Sequence, residues 1–222
     1  MKIDMHCHSY YSRDSICSPK SLIDSAIKKG LNGIAITDHN NTKAWKELIE
    51  YSKENNFFII LGEEIKIKEN NKIIGEILAY FINKKINPKG KTGKEIIDEI
   101  HSQGGIAIIA HPYHRKKPFM GIEKYKDIVD GIEIFNSRSQ TKKGNRLSFL
   151  LAKKTSLPFI AGSDAHTPWE IGKAYIEINT NNLDEIKNKI LNKKIKVTGK
   201  QSPFIFQIFS PIAKIIYWFK SL

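Results

Sequence analysis

Cysteine is scarce in this sequence, since only Cys7 and Cys17 occur among its 222 residues. Two cysteines cannot form the disulfide framework of a small secreted protein. The opening residues, MKIDMHCHSYYS, also lack the apolar stretch of a secretory signal peptide. Prolines number only 8, and hydrophobic residues make up 41%, so the composition indicates a packed core and not disorder. These absences predict a folded protein in the reducing environment of the cytoplasm.

Several familiar motifs are missing as well. The sequence contains no glycine-rich phosphate loop, no dinucleotide-binding fingerprint and no internal repeat. Its length fits one domain of ordinary size with a short appendage. We predict a domain over residues 1–200 and an apolar, aromatic tail over residues 201–222.

Acidic residues are outnumbered, with 23 against 36 basic residues and a net charge of +13. Such a balance favours anionic partners, among them nucleotides, nucleic acid and acidic lipid. Much of the excess is lysine scattered among asparagine and isoleucine. Genomic composition therefore stays open as an alternative explanation.

Short β-like runs alternate with helix-like stretches along the chain, which predicts an α/β fold with a mainly parallel sheet. About seven such units favour a barrel over an open sheet. The predicted strands are Lys2–Met5, Gly33–Thr37, Phe57–Ile67, Ile73–Phe81, Ile106–Ala110, Gly131–Phe135, Phe159–Ala161 and Lys173–Ile178. The predicted helices are Pro19–Lys29, Asn41–Glu54, Lys94–Gln103, Lys142–Lys153 and Leu183–Leu191.

Histidines and carboxylates follow the ends of these strands, where the active sites of α/β barrels collect. His6-x-His8 and Asp164-x-His166 are spaced so that both side chains of an extended pair point the same way. Imidazole and carboxylate ligands suit Zn²⁺, Mn²⁺ or Fe²⁺. Cys7 lies between two histidines, but alternation points its thiol away from them. The pattern predicts a metal site that contains His6, His8, Asp38, His39, Glu63, His111, Asp164 and His166.

With these motifs the sequence resembles the PHP (polymerase and histidinol phosphatase) superfamily. Five motifs occur in the right order: Asp4-Met5-His6-Cys7-His8-Ser9, Ile36-Thr37-Asp38-His39, Gly62-Glu63-Glu64, Ala110-His111-Pro112 and Gly162-Ser163-Asp164-Ala165-His166. The stretches Gly75–Leu78 and Ile134–Arg138 further resemble small stand-alone PHP phosphoesterases. The resemblance implies a distorted (βα)7 barrel whose active site holds two to three divalent ions, with Mn²⁺, Zn²⁺, Fe²⁺ and Mg²⁺ all possible.

The resemblance also implies a ligand set. A first metal would take His6, His8, Glu63 and Asp164, and Glu63 would bridge to a second metal held by His111. Glu76 stands where many relatives have a further histidine, so it is a substitute ligand or marks a weaker site. Asp14, His39 and His166 would hold a third metal, while Asp4 and Asp38 would orient imidazoles.

The implied chemistry is phosphoester hydrolysis. A water shared by two cations loses a proton near neutral pH and becomes the nucleophile. His39, His166, Glu63 and Asp164 are the expected catalytic residues, with one of the two histidines as a proton donor. We expect the substrate to be bound by Arg115, Lys116, Arg138 and His114, although a solvated basic loop would look the same.

The sequence is compatible with three functions. The first is hydrolysis of a small phosphomonoester or nucleotide. The second is trimming of short 5′-phosphorylated oligonucleotides by a phosphodiesterase or exonuclease, for which no aromatic stacking platform is visible. The third is a metal-stabilised regulatory domain without catalysis, against which the nearly complete ligand set argues.

The tail reads SPFIFQIFSPIAKIIYWFKSL and is interrupted by polar residues, so a full membrane span is not expected. Two hypotheses remain. The tail could form an interfacial helix on anionic membrane, or it could pack against the barrel or in a homodimer. We favour packing, because apolar aromatic tails often close cores or form dimers.

Overall fold

The structure, a computed structural model, describes residues 1–114, 118–139 and 142–220. Over these ranges nine strands form one sheet and seven α-helices accompany it, which confirms the predicted α/β class. The strands are β1 (Lys2–Cys7), β2 (Gly33–Ile36), β3 (Phe58–Glu69), β4 (Lys72–Tyr80), β5 (Ile106–Ile109), β6 (Gly131–Asn136), β7 (Phe159–Gly162), β8 (Ala174–Ile178) and β9 (Ile195–Gly199). The helices are α1 (Pro19–Lys28), α2 (Trp45–Glu54), α3 (Gly93–Ser102), α4 (Ile122–Tyr125), α5 (Lys142–Thr155), α6 (Leu183–Leu191) and α7 (Phe209–Lys220).

The sheet curls into a nearly closed barrel. Its strands follow the order β7-β6-β5-β4-β3-β2-β1-β8-β9, and β1 also lies beside β7. A backbone bridge pairs Cys7 with Ala165, and the N–H of His8 donates to the carbonyl of Ala165 at 3.0 Å. The predicted barrel is confirmed, with its seam between β1 and the chain just after β7.

Strand direction differs from the prediction of a mainly parallel sheet. β1 with β2, β2 with β3, β5 with β6 and β6 with β7 are parallel, whereas the other four pairs are antiparallel. The β3–β4 hairpin reverses at Asn70 and Asn71, which both have positive φ angles (48° and 61°), as a tight hairpin turn requires. Seven of the nine described strands, all except β4 and β8, still share one direction, so their carboxyl ends meet on one face.

The buried apolar side chains of the described residues form two clusters. One lies between the helices and the outside of the sheet and includes Leu22, Ile34 and Ile97. The other includes Ile60 and Leu78 and is closed by Ile186 and Ile190 of α6. Residues two apart on a strand share a face, so this second cluster lies on the side of the sheet that also carries Glu64 and Glu76.

The tail folds into a 3₁₀ turn, Phe204–Ile208, that leads directly into α7. It packs against the barrel, with the Phe206 ring stacked on Trp169 at 6.0 Å between centroids. Among the residues that the structure describes, no helix is both long and apolar enough to cross a membrane.

Candidate metal centre

Five strands bring histidines and carboxylates together at the carboxyl-terminal face of the barrel. The side chains come from the end of β1, from the middle of β3, or from the residues that follow β1, β2, β5 and β7. A register shift in β1 between Asp4 and Cys7 breaks the normal alternation. The cluster contains His6, His8, His39, Glu64, His111, Asp164 and His166.

His6 and His8 point their Nε2 atoms at each other across only 3.0 Å. Their Nδ1 atoms are engaged elsewhere, at 3.0 Å from Glu133 Oε1 for His6 and at 3.0 Å from Ser12 Oγ for His8. With the ring protons on Nδ1, two nitrogen lone pairs converge on one place. This is the arrangement in which a carboxylate or hydroxyl orients an imidazole for a metal ion.

Glu64 lies at the centre of the cluster. Its Oε2 is 3.5 Å from His6 Nε2, 3.4 Å from His8 Nε2 and 2.9 Å from His39 Nδ1. Its Oε1 is 3.0 Å from His111 Nε2. One carboxylate therefore faces two sets of imidazoles, one on each oxygen, which is the geometry of a bridging ligand.

Glu63, which the sequence led us to expect in this position, is not in the cluster. Its side chain is buried elsewhere, and its Oε2 accepts a hydrogen bond from the N–H of Ile86 at 3.0 Å. Burial raises the pKa of the Glu63 carboxyl to about 7. Successive side chains on a strand point to opposite faces, so in β3 only one of the two adjacent glutamates can reach the histidines. Glu64 replaces Glu63 in the candidate ligand set.

Asp14, His39 and His166 form a second group, as the resemblance implied. Asp14 Oδ2 is 3.4 Å from His39 Nε2, and Asp14 Oδ1 is 3.4 Å from His166 Nε2. Asp14 Oδ1 is buried and has no hydrogen-bond partner within the described ranges. Asp164 Oδ1 connects this group to the first, at 3.3 Å from His8 Nε2 and 3.5 Å from His166 Nδ1.

His111 and Glu76 form the outer edge of the cluster. Glu76 Oε2 is 3.7 Å from His111 Nε2, and its side chain is 22% exposed. Glu76 thus lies where a substitute ligand would be expected, next to the solvent. His111 has a φ of 22° and Asp164 a φ of 55°, a left-handed backbone that costs free energy and tends to occur at functional sites.

The histidines and carboxylates of the cluster shift one another's pKa values. Burial opposes protonation of His6, but Glu133, Asp164 and Glu64 raise its pKa well above the usual range. Burial likewise opposes protonation of His111, whose bond with Glu64 nevertheless raises its pKa to about 9. Burial together with His166 and His39 lowers the pKa of His8 to about 3.

The carboxylates of the cluster respond to the same charges. Burial would favour their neutral forms, but the neighbouring histidines lower the pKa values of Glu64 and Asp164 well below the usual range. Buried carboxylates need a positive counter-charge. Protons on histidine supply it here, and divalent cations would supply it equally well.

The donor set fits metal ions. Among the described residues, four overlapping groups of three side chains have ligand atoms within 4.8 Å of one another. They consist of imidazole nitrogens and carboxylate oxygens, which suit Zn²⁺, Mn²⁺ or Fe²⁺. These groups are His8, His39 and His166; His6, His111 and Asp164; His6, His8 and Glu64; and His39, Glu64 and Glu76.

Sequence reasoning missed three residues that hold these ligands in place. Glu133 bonds His6 Nδ1 and also accepts from the N–H of His111 at 2.8 Å. Asn136 donates to Glu133 and to Asp164 Oδ2. Ser12 connects His8 to Asp38 at 2.8 Å. Glu133 could have been found as the lone charge within the apolar strand Gly131–Asn136.

The carboxylates expected to orient imidazoles act through other groups. Asp38 reaches His8 through Ser12, and Asp4 accepts from the backbone N–H groups of Ser163 and Gly172, each at 2.8 Å. Burial raises the pKa of both carboxyls to about 6, against the effect of these hydrogen bonds. Asp4 therefore fixes the loop that carries Asp164 and does not touch a ring.

The predicted substrate-binding residues differ in their distance from the candidate ligands and in their contacts. Arg138 is buried, with Nε 3.2 Å from Glu170 Oε1 and Nη2 donating to Ser210 Oγ at 3.0 Å. Its guanidinium is thus committed to structural contacts, contrary to the expectation that it binds substrate. His114 lies beside His111, with ring centroids 5.1 Å apart. Arg115 and Lys116 lie outside the described residues.

The cluster can be compared with known proteins. The family model of the PHP domain matches residues 4–217, nearly the whole chain. The chain belongs to the PHP domain family. An uncharacterised protein of Methanocaldococcus jannaschii is 32% identical over 208 residues, covering 89% of this PHP chain and 80% of the relative. A probable phosphatase of Caldicellulosiruptor bescii is 25% identical, and the match covers 79% of this chain and 84% of that phosphatase.

A solved structure shares the fold. It is a two-domain protein of Bacteroides vulgatus that contains a predicted PHP-like metal-dependent phosphoesterase. The TM-score is 0.75 at 19% identity, and the match covers 90% of this PHP chain but only 65% of the Bacteroides protein. At this identity the likeness shows the fold alone.

Proposed function

We propose that this PHP chain is a metal-dependent hydrolase of small phosphomonoesters or nucleotides. The observation that carries the proposal is the placement of Glu64, whose two carboxylate oxygens face different imidazoles at 2.9–3.5 Å. A bridging carboxylate is what a site needs to hold two cations close together. The likeness to a probable phosphatase supports the same reaction class.

The chain's own residues would hold the ions in two overlapping groups. His6, His8, Glu64 and Asp164 would hold the first ion, and His111 with Glu76 would hold a second through the other Glu64 oxygen. Asp14, His39 and His166 would hold a third. Divalent ions bound there would neutralise phosphoryl oxygens and acidify a water molecule.

Hydrolysis breaks the P–O ester bond, adds the oxygen of water to phosphorus and leaves an alcohol that must gain a proton. When the third position holds no ion, His39 and His166 would manage that proton, because the Nε2 of each faces the Asp14 carboxylate at 3.4 Å. The side chain of His39 is 19% exposed, so it can reach the substrate side of the cluster. The burial of Glu64 and Asp164 excludes water that would weaken their hold on cations.

The metal and the cell compartment follow from the same chemistry. The mixed imidazole and carboxylate set is compatible with Mn²⁺, Zn²⁺, Fe²⁺ and Mg²⁺, between which availability decides. Cys7 and Cys17 are both buried free thiols, which supports a cytoplasmic protein. Arg115 and Lys116 remain our candidates for contacts to the substrate phosphate.

The test is phosphate release by the purified chain with each of these metals. The substrate panel holds mononucleotides, 3′,5′-bisphosphates, small phosphomonoesters and 5′-phosphorylated oligonucleotides. The variants are Glu64→Gln and Glu63→Gln, the same change at adjacent positions. We expect Glu64→Gln to lower kcat/KM about 100-fold or more, since even residues that support a metal ligand cost 10–100-fold. Glu63→Gln should retain activity, because its amide oxygen can still accept from Ile86.

The possible outcomes distinguish the proposed function from the alternatives. Equal losses in both variants would contradict the assignment of Glu64. Turnover of oligonucleotides alone would favour the phosphodiesterase or exonuclease. Metal bound in stoichiometric amounts without turnover of any ester would favour a metal-stabilised regulatory domain.

A further inference from the structure

One face of the tail lies against the metal centre on the side of Asp14, which we call the mouth of the site. Gln207 Nε2 donates to the carbonyl of Arg138 at 3.2 Å, and Ser210 accepts from the Arg138 guanidinium. One turn further on, Lys214 Nζ is 3.4 Å from Asp14 Oδ2. The inner face of α7 therefore touches the same carboxylate that faces His39 and His166.

The same contacts fix the orientation of the tail. The Arg13 guanidinium lies over the Tyr217 ring at 5.0 Å. Ala213 of α7 is buried. Phe209 packs beside Trp169 with ring centroids 5.7 Å apart. Contacts at positions 206, 209, 210, 213, 214 and 217 follow the helical period, so the opposite face must point away from the barrel.

That opposite face is apolar and exposed. Its large side chains are between 43% and 63% exposed and recur at helical spacing: Ile205, Ile208, Ile212, Ile215, Ile216 and Phe219. Soluble proteins rarely expose contiguous apolar surface of this kind without a binding role. α7 spans twelve residues, about 18 Å, which is too short to cross a bilayer but sufficient to lie within its surface.

We propose that this outer face docks on an anionic lipid bilayer. Residues 201–222 contain no acidic residue, and their charged residues are the two lysines Lys214 and Lys220. The whole chain carries a net charge of +13, which complements anionic headgroups. The same charge disfavours a second copy as the occupant, because two strongly cationic chains would repel each other.

Docking would place the metal centre close to the membrane. The outer face binds lipid while the inner face rests on Asp14, so only the thickness of α7 separates them. A helix with its side chains is about 10–12 Å across. Phosphorylated molecules at the headgroup layer would then lie beside the mouth of the site.

The test is co-sedimentation of the full chain with phosphatidylcholine vesicles, made with and without phosphatidylserine. We expect binding to the phosphatidylserine vesicles that weakens as salt is added. Ile215→Glu/Ile216→Glu should lower the apparent affinity about tenfold or more, because two charges enter the apolar face. The matched control is Ile73→Glu/Leu183→Glu, which adds the same charges at exposed aliphatic positions outside the tail and should bind like the parent chain.

The outcomes decide between occupants. Unchanged thermal unfolding of the tail variant shows that any loss of binding is local. Absence of binding by the parent chain, or equal binding by both double variants, overturns the proposal. A dimer of the parent chain in solution that only Ile215→Glu/Ile216→Glu dissociates would also overturn it, in favour of a second copy.

Discussion

At the scale of single residues, the hydroxyl of Ser12 connects two parts of the metal centre. Ser12 Oγ donates to Asp38 Oδ1 at 2.8 Å and accepts from the N–H of His39 at 3.0 Å. Because its proton is committed to Asp38, it can only accept from His8 Nδ1. The proton of His8 therefore stays on Nδ1, and the Nε2 lone pair is left for a cation.

Replacement of Ser12 should weaken metal binding without removing a ligand. We expect Ser12→Ala to lower metal affinity about 10–100-fold, because the ring of His8 loses the partner that fixes its orientation. Calorimetric titration with Mn²⁺ measures the effect. The matched control is Ser52→Ala in α2, where the hydroxyl donates to the carbonyl of Ile49 far from the centre. Equal affinities of the two variants would show that Ser12 does not orient His8.

At the scale of elements, the seam between β1 and β7 depends on the absence of a side chain at Gly162. A Cβ built at this position would lie 2.2 Å from His6 Cβ and 2.6 Å from His6 N. Backbone atoms cannot move aside as a flexible side chain can. Gly162 thus permits β7 to approach the strand that carries the histidine pair.

Gly162→Ala should push β1 away and displace His6. We expect a clear loss of metal affinity together with a destabilisation of about 1–3 kcal/mol, the usual range for overpacking. Gly90→Ala is the control, since it adds a methyl group where no atom lies within 4 Å. Its positive φ of 75° still costs about 1–2 kcal/mol, which separates backbone strain from damage to the centre. Normal metal binding by Gly162→Ala would contradict this account of the seam.

The sequence predicted these elements better than it predicted which side chains face inward. The barrel follows from alternating apolar runs, and the positions of His6, His39, His111 and His166 follow from strand ends. The choice between Glu63 and Glu64 depends on the register of β3 against its neighbours. In that register a backbone β-bridge pairs Glu64 with His39. A shift of one residue reverses every side chain of a strand, and apolar periodicity alone does not set that register.

At the scale of the whole molecule, the metal centre is a concentration of buried charge whose balance depends on pH. His111, with its pKa raised to about 9 from an ordinary value of 6.5, stabilises the metal-free fold while it is protonated. Its contribution is fully present below pH 6.5 and is lost as the pH rises through 9. A cation must displace that proton, so its binding strengthens over the same range.

Metal should therefore stabilise the chain more at higher pH. At a hundredfold excess over Kd, binding contributes about 2.7 kcal/mol. For a domain of this size that corresponds to a rise in Tm of about 5–10 °C. We expect Mn²⁺ to raise Tm in calorimetric scans, more at pH 8 than at pH 6, and EDTA to reverse the rise. Glu64→Gln should abolish the shift, and an equal shift in that variant would place the bound ion elsewhere.

The position of β1 in the sheet has a consequence for the order in which the molecule folds during synthesis. β1 leaves the ribosome before the eight strands that follow it, yet its neighbours include β8 and the chain after β7. His6 and His8 must wait for Asp164 and His166, and Lys214 reaches the mouth later still. A nascent chain therefore cannot assemble the full ligand set until His166 has been translated. Long-range contacts of this kind slow folding, so we expect closure of the barrel to be a late step.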